Sequence, residues 1–410
     1  MNKYHKIILA ILFTLAVLLG LAQREQDPYI KDSALNFKSD SETGSALYKY
    51  IKSAEDLAQK KQPSIKNDLD FLAVGDIMLS RNVAGTIKKS GDPLLPFSGM
   101  KEILNSTDFN FGNLESPISG SNAFNNTGSL VFNAPTTYTT GLYKYNFQVL
   151  SLANNHALDQ GEKGLFHTLD FLKEKGVKTA GAGKNLEAAW QPAVVEKNGI
   201  KICFVAASYS SVNDNGKAVN DFVARIQDIK SLKSSIVNIK SNCDFVVATM
   251  HGGTEYITKP NQTQIDFAHA AIDAGADMVI GHHPHWIQTI ERYCPNSATI
   301  SDPPSPFRGE GAGDEGNNPC PTPKLIFYSL GNFIFDQMWS QETREGLALK
   351  IKVSKIKNQN ELQGPKVAAV LESVELIPVI IDNYSTPRPA NAEEAKKVLA
   401  KIGETKNILK

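Results

Sequence analysis

The stretch FLAVGD, Phe71–Asp76, is a short apolar run that ends in a glycine and a carboxylate. Five further apolar runs also end in a polar cluster, and helical patterns of about 10–15 residues separate several of them. The six clusters lie at Gly75–Asp76, Gly112–Glu115, Asn154–His156, His251–Tyr256, Gly281–His285 and Gly331–Phe333. This alternation is typical of βαβ units, so the sequence predicts an α/β fold.

The six clusters are expected to converge, because the carboxyl ends of strands in an open α/β sheet line one crevice. They contribute Asp, Glu and Asn side chains and five of the chain's eight histidines. Such a mixed oxygen and imidazole set suits Mn, Fe or Zn rather than Ca or Mg alone. One or two divalent ions held there would clamp a phosphoryl oxygen and acidify a water molecule, which is hydrolase chemistry.

The composition is that of an ordinary globular protein. The chain has 410 residues, of which 41% are hydrophobic and 21% charged, and its formal net charge is zero. This balance excludes a multi-span membrane protein and gives no electrostatic case for binding nucleic acid.

The N-terminus carries Lys3 and Lys6 and then an apolar run, Ile7–Ala22. This pattern predicts a signal peptide or a membrane anchor over residues 1–24. The run spans roughly 24 Å, which is short of the ~30 Å bilayer core and favours a signal peptide, although uncleaved anchors of this kind exist. The predicted localisation is the cell membrane, through a single span with the body outside the cytoplasm, or secretion after cleavage near Ala22.

The rest of the chain divides by composition. Residues 25–66 are polar and are interpreted as a stalk, residues 67–390 as one large domain, and residues 391–410 as a C-terminal helix. Residues 295–323 are rich in Pro, Gly and Ser and are predicted to be a disordered surface insertion. Cys294 and Cys320 bracket that insertion and are a candidate disulfide, whereas Cys203 is interpreted as a small buried hydrophobic residue.

Six motifs carry a resemblance to a known family. They are VGDIMLSR at 74–81, GNLE at 112–115, LANNH at 152–156, HGGTEY at 251–256, GHHPH at 281–285 and YSLGNFIFD at 328–336. With these motifs, over roughly Asp70 to Pro389, the chain resembles the capsule or poly-γ-glutamate biosynthesis family CapA (PgsA), a branch of the metallophosphatase superfamily. The resemblance implies a four-layer α-β-β-α sandwich of the metallophosphoesterase type in residues 67–390, behind an N-terminal apolar anchor or signal.

The resemblance also implies roles for particular residues. Asp76 and Glu115 would be metal ligands, with Glu115 bridging two ions and stabilising charge in catalysis, and His156, next to Asn155, would be the general acid. The other implied ligands are the amide of Asn155 and the imidazoles of His251, His283 and His285. The residues implied to contact substrate or to orient the ligands are Arg81, Asn154, Glu255, His282 and Asn332. One departure is Met78, which stands where the phosphoesterase pattern places a histidine, so the number of ions stays open at one or two.

Three functional hypotheses follow. The preferred one is an extracytoplasmic metal-dependent hydrolase-like protein in capsule or poly-γ-glutamate-type polymer synthesis, export or attachment. Its partners would be an anionic polymer or phosphoester substrate and a membrane synthetase complex. The alternatives are a non-catalytic assembly or polymer-binding subunit of such a synthetase, and a secreted nucleotidase or phosphodiesterase.

Overall fold

The computed structural model describes residues 65–125, 128–209, 221–295, 323–357, 369–403 and 407–409. Nearly all of the predicted stalk and of the predicted insertion lies outside these residues, and the last two stalk residues, Ile65 and Lys66, belong instead to the first strand. Cys320 also lies outside them, so the Cys294–Cys320 disulfide stays a prediction.

The predicted localisation, a single N-terminal span or secretion after cleavage near Ala22, is corrected by the structure. Within the described ranges, no helix combines the length and the apolar character needed to cross a membrane. The run Ile7–Ala22, from which the span was predicted, lies outside those ranges.

The described strands and helices alternate along most of the chain. The strands are β1 Ile65–Ile77, β2 Phe109–Leu114, β3 Phe147–Ser151, β4 Lys178–Ala180, β5 Ala193–Lys197, β6 Ile200–Ser208, β7 Phe245–His251, β8 Met278–His282, β9 Ile290–Tyr293, β10 Lys324–Phe327, β11 Asn332–Ile334, β12 Glu345–Lys357, β13 Val370–Asp382, β14 Thr386–Pro389 and β15 Asn407–Leu409. The α-helices are α1 Arg81–Ser90, α2 Lys101–Leu104, α3 Thr140–Lys144, α4 Gly161–Glu174, α5 Leu186–Ala189, α6 Ile229–Lys240, α7 Gln262–Asp273, α8 Gln341–Arg344 and α9 Ala392–Lys401.

The strands form two sheets, so the chain is a mixed α/β protein, which confirms the predicted fold class at this level. The nine-stranded sheet has the order β14-β13-β12-β1-β2-β3-β4, with β11 beside β1 and β15 beside β13. The six-stranded sheet has the order β5-β6-β7-β8-β10-β9. Strands β1 to β4 run parallel, as do β6, β7, β8 and β10. Parallel neighbours end at the same edge, so each sheet collects the residues that follow its strands.

The main core lies between the two sheets. Phe204 on β6 stacks on Phe111 with ring centroids 4.8 Å apart, and its ring meets those of Phe71 and Phe109 edge-on. The opposite face of the six-stranded sheet, which includes Val205, packs against buried residues of α6 and α7. Because β6 and β7 are covered on both faces, they have nearly continuous apolar sequences rather than alternating ones.

Several helices and strands lie within a few residues of where the sequence predicts them. Apolar residues at helical spacing predict helices over Lys163–Lys175 and Thr263–Ala274, which correspond to α4 and α7, and α7 begins with a capping box formed by Asn261 and Gln264. The sequence also predicts strands at 346–353, which lies within β12, and at 367–381, of which residues 370–381 lie in β13. The C-terminal helix ends at Lys401, and β15 then pairs with β13, which the amphipathic pattern of residues 391–410 does not predict.

Cys203 is buried, as predicted, but it is not a simple hydrophobic residue. It forms a disulfide with Cys243, which lies 40 residues further along the chain, just before β7. The bond joins β6 to the start of the neighbouring strand in the six-stranded sheet.

We expect the double variant Cys203→Ala/Cys243→Ala to lower the free energy of unfolding by about 2–4 kcal/mol, because a cross-link over a loop of this size restricts the unfolded chain. Chemical denaturation with and without reductant measures this. The parent in reductant should approach the variant, and a variant as stable as the oxidised parent would contradict the prediction.

Candidate metal centre

The residues that follow the strands of both sheets meet at one end of the molecule. In the nine-stranded sheet, Asp76 on β1 is in register with Asn113 on β2 and with Asn332 on β11. In the six-stranded sheet, His251 on β7 is in register with His282 on β8. The convergence expected from the strand ends is therefore present.

Two groups of three side chains in this region have the spacing of metal ligands. Ligand atoms of Glu115, His251 and His283 lie within 4.8 Å of one another, and so do those of Asp76, Glu115 and His285. All five residues are buried. Glu115 belongs to both groups, so its carboxylate lies where a ligand shared by two ions would be.

Glu115 provides the test of whether a cation fits. Its side chain is fully buried, and within the described residues neither carboxylate oxygen has a hydrogen-bond partner. Its Oε1 lies 3.7 Å from His156 Nε2 and 3.8 Å from His251 Nε2. Burial, and then the charge of Asp76, raise the pKa of Glu115 well above its usual value. A carboxylate buried in this way costs several kcal/mol unless a cation compensates its charge, so the residues fit a divalent metal.

Asp76 is held in place by two hydrogen bonds. Its Oδ1 accepts from Asn113 Nδ2 at 2.8 Å, and its Oδ2 accepts from the backbone N–H of His283 at 3.2 Å. Burial raises the pKa of Asp76 to about 7, although both hydrogen bonds lower it. Asp76 is thus oriented as a ligand but is only partly ionised near neutral pH when no metal is bound.

The histidines of the centre are kept neutral by burial. Burial lowers the pKa of His251 and of His283 well below the usual range, and lowers that of His285 to about 3. His285 Nδ1 lies 2.9 Å from Asn332 Oδ1, and His283 Nδ1 is buried with no hydrogen-bond partner among the described residues. Neutral imidazole is the form that binds a metal.

The backbone that carries two of these histidines is strained. His283 has φ of 100° and His285 has φ of 57°, and both values lie in the region that side chains other than glycine rarely adopt. Strain of this kind persists only where the surroundings impose it, and it is concentrated at functional sites. The GHHPH segment therefore holds two imidazoles toward the carboxylates at a cost in backbone energy.

His156 lies at the edge of the cluster and is oriented by Asp159, a residue outside the six motifs. Its Nδ1 lies 2.8 Å from Asp159 Oδ2, which also accepts the backbone N–H of Phe132. The ring of His156 stacks on that of Phe132 with centroids 3.8 Å apart. A proton on Nδ1, held by Asp159, leaves Nε2 facing Glu115.

Arg81 lies beside the centre rather than within it. Its guanidinium forms an ion pair with Asp336, donates to the carbonyl of Ser129 at 3.3 Å, and lies over the ring of Phe132 at 4.9 Å. Its positive charge acts to lower the pKa of Glu115. The predicted role for Arg81, contact with substrate or orientation of ligands, is compatible with this position.

The other predicted residues have different positions. Asn155 Oδ1 lies 2.7 Å from His251 Nε2, and Asn154 donates to the carbonyl of Leu114 at 2.8 Å. Glu255 is exposed near the centre and acts to raise the pKa of Glu115. His282 does not join the centre: its Nε2 lies 3.2 Å from the carbonyl of Val74, so its ring lies between the sheets.

Met78 occupies the position where a histidine is expected, and it is a core residue. Its side chain is fully buried, and its Sδ lies 3.1 Å from the backbone N of Ser80. The group of Asp76, Glu115 and His285 therefore has three side-chain ligands in the described structure.

Three residues to which the sequence motifs assign no role belong to this region. Asn113 joins Asp76 to His251, because its Nδ2 lies 2.8 Å from Asp76 Oδ1 and 3.1 Å from His251 Nδ1. Asp159 orients His156, and Asp336 holds Arg81. Asn113 and Asp336 are inside the quoted motifs, and Asp159 is three residues after His156. Their positions within or beside the motifs are therefore the sequence feature that could have identified them.

A family model and the sequences of known proteins both relate this chain to bacterial capsule synthesis proteins. A family model described as "Bacterial capsule synthesis protein PGA_cap" matches residues 70–337. The capsule biosynthesis protein CapA of Bacillus anthracis is 30% identical over 283 residues, which cover 67% of this chain and 61% of that protein. The PGA biosynthesis protein CapA of Bacillus subtilis (strain 168) is 30% identical over 286 residues, which cover 69% of this chain and 67% of that protein. This chain therefore spans less than two thirds of the length of the Bacillus anthracis relative.

Among solved structures, the NAD nucleotidase of Haemophilus influenzae superposes with a TM-score of 0.43 and 11% identity. The superposition covers 83% of this chain and 56% of that protein.

Proposed function

The chain belongs to the bacterial capsule synthesis protein family, and from this membership and the buried cluster around Glu115 we propose that it is a metal-dependent, hydrolase-like protein of capsule or poly-γ-glutamate-type polymer synthesis, export or attachment. The two sheets and their helices are then the four-layer α-β-β-α sandwich of the metallophosphoesterase type. Residues 67–390 form the working domain in this proposal, and residues 391–410 close it.

One observation carries the proposal. The carboxylate of Glu115 is fully buried, both of its oxygens lack hydrogen-bond partners among the described residues, and neutral histidines surround it. A structural carboxylate in a core would be expected to have its oxygens satisfied by donors. An arrangement that leaves both oxygens free is explained by a cation.

The ligands in this proposal are Asp76, Glu115, Asn155, His251, His283 and His285. Divalent Mn, Fe or Zn bound there supplies positive charge that polarises a phosphoryl or, less readily, an amide centre and generates a nucleophile from water. The side chains around it are already oriented, because Asn113 holds Asp76 and Asn332 holds His285. Such supporting hydrogen bonds fix the direction of metal ligands.

The protein's own acid is His156. With Asp159 accepting the proton on Nδ1, the imidazolium form of His156 carries its second proton on Nε2, which faces the centre, and gives that proton to the oxygen that leaves. Arg81, with its charge partly balanced by Asp336, adds positive charge at the same edge. The substrate is proposed to be an anionic polymer or a phosphoester, and the partner a polymer synthetase.

Turnover of a generic aryl phosphodiester with added Mn, Fe or Zn tests the proposal. The parent should hydrolyse it in a metal-dependent way, and a variant that lacks His251 should not. Full activity of His251→Ala would contradict the proposed centre.

A second function is favoured by Met78. Because a thioether replaces the expected histidine, one ion has fewer ligands, and the family fold would then serve as a non-catalytic, polymer-binding subunit of a synthetase. A parent that binds metal and polymer but turns over neither phosphoesters nor γ-glutamyl amides would support this alternative.

Asp76 gives the metal-free protein a specific pH dependence. Because burial raises the pKa of Asp76 from 3.8 to about 7, the folded chain keeps a proton in this interval that the unfolded chain releases. Stability from this group is thus complete below pH 3.8 and is lost as the pH rises through about 7, at up to about 1.36 kcal/mol per pH unit.

We therefore compare the free energies of unfolding of the parent and of Asp76→Asn, both in chelator. The parent value minus the variant value should fall as the pH rises from 5 to 7, with roughly the slope that the release of one proton gives. Urea denaturation at several pH values measures the difference. A difference that is independent of pH would contradict the buried, protonated state of Asp76.

A further inference from the structure

Tyr256 and Trp339 form a second feature beside the metal centre, which we call the aromatic corner. Their ring centroids are 4.7 Å apart and their planes meet at 82°, so the two rings pack edge-to-face. Trp339 is 61% exposed, whereas Tyr256 is half-buried. The corner therefore offers a largely exposed indole that is supported from one side.

The aromatic corner adjoins a proposed metal ligand. The ring of Tyr256 lies 6.0 Å from that of His285, at an angle of 28°. A ligand group that contacts Tyr256 would thus lie about one ring away from His285, and a group that contacts Trp339 would lie one ring further out. This proximity distinguishes Trp339 from the exposed aromatic Tyr384, which lies at the turn between β13 and β14.

A chain of hydrogen bonds fixes the aromatic corner relative to the centre. Gln337 Nε2 donates to the hydroxyl of Tyr256 at 3.2 Å, and Asn332 Nδ2 donates to Gln337 Oε1 at 3.2 Å. Asn332 Oδ1 in turn lies 2.9 Å from His285 Nδ1. Tyr256 also has φ of 61°, and its backbone N–H donates to the carbonyl of Pro284 at 2.9 Å. The position of the tyrosine is therefore imposed from two directions.

The charge beside the aromatic corner limits what it can bind. Glu255 is exposed and adjacent to Tyr256. Burial is the main cause that raises the pKa of the Tyr256 hydroxyl, and the charge of the Glu255 carboxylate is the second cause. A carboxylate at this place repels anionic groups and accepts hydrogen bonds from hydroxyls. The combination of an open aromatic face and a hydrogen-bond acceptor suits a neutral ring that has an apolar face and hydroxyls at its edge.

We propose that the aromatic corner of Tyr256 and Trp339, with Glu255, is a subsite for a neutral pyranose ring of the substrate next to the metal centre. This inference rests on the proposed function, because it names part of the substrate for that centre. A γ-glutamyl chain has no ring and carries a carboxylate on each residue, so it does not fit the corner. The substrate would accordingly contain a glycosyl unit beside the bond that is hydrolysed.

Calorimetric titration of the purified chain with a neutral N-acetylglucosamine trisaccharide, a γ-glutamyl trimer and adenosine tests the proposal. The parent should bind the trisaccharide best, and Trp339→Ala should weaken that binding about tenfold, because an aromatic contact of this kind is lost. Trp339→Phe should retain most of the affinity, and Tyr384→Ala should retain all of it.

Metal content is measured on the same samples and should be equal in the parent and Trp339→Ala, since Trp339 is not a ligand. A parent without metal would remove the proposed function, whereas trisaccharide binding that is unaffected by Trp339→Ala would remove only the subsite. Preference of the parent for the γ-glutamyl trimer or for adenosine, abolished by Trp339→Ala, would overturn the pyranose assignment.

Discussion

The variant Glu115→Gln is expected to lose divalent metal at both ligand groups and yet to be more stable than the metal-free parent above neutral pH. Glu115 is the residue that the two groups share, so its loss removes a ligand from each. Metal affinity should fall by more than about 100-fold, which is the upper end of the loss seen when only a supporting residue of a metal site is changed.

The gain in stability has a separate physical cause. In the metal-free parent, the glutamate is buried without hydrogen-bond partners among the described residues, and burial raises its pKa, so its destabilising effect relative to the unfolded chain grows as the pH rises. Glutamine has nearly the same shape and no charge, so the substitution should raise the free energy of unfolding by about 1–3 kcal/mol. Thermal unfolding in chelator at pH 8 measures this gain, and calorimetric titration with Mn measures the affinity.

A matched control is Glu345→Gln, because Glu345 is also buried but its carboxylate is paired with Lys401. That substitution should lower stability and leave metal binding unchanged. If Glu115→Gln bound metal as tightly as the parent, or if it were the less stable variant in chelator, the assignment of Glu115 would be wrong.

The variant His156→Ala is expected to keep its metal and to lose catalysis. Removal of a positioned general acid typically costs about 10²–10⁴-fold in rate. The loss should be large for substrates with poor leaving groups and small for an aryl phosphodiester with an acidic phenol, because the latter needs no proton as it leaves.

The variant Asp159→Asn tests the orientation of His156 while the histidine itself is kept. The Asp159 carboxylate holds the proton on His156 Nδ1, so the amide should lower kcat with little change in KM and should alter the pH profile of kcat. Steady-state kinetics with two leaving groups measures both effects. An equal loss for both leaving groups in His156→Ala would show that His156 does not act as the acid.

Much of the fold was predictable from the sequence because the strands that precede the polar clusters, such as β2, β7 and β8, are buried along their whole length. Each apolar run in the nine- and six-stranded sheets stands out as a continuous hydrophobic segment, and the polar residue after it marks the strand end. Asp76, Glu115 and His251 were found in this way. The assignment of His285 needed the resemblance to a family, because three histidines in one short segment do not reveal which of them turns away.

The remaining features depend on contacts that the sequence does not encode locally. His282 lies between the sheets because it is the last residue of β8, while a positive φ at His283 redirects the chain toward the carboxylates. The Cys203–Cys243 disulfide joins neighbouring strands whose pairing is known only once the sheet order is known. Asp336 pairs with Arg81 across 255 residues, and the corner of Tyr256 and Trp339 joins two separate loops.

The most direct test of the central claim is the metal content of the purified chain, measured by mass spectrometry after dialysis with Mn, Fe and Zn. We predict one or two transition-metal ions per chain in the parent, and none in Glu115→Gln that remains folded by circular dichroism. A folded parent that retains no metal, or a Glu115→Gln variant that retains as much as the parent, would contradict the account.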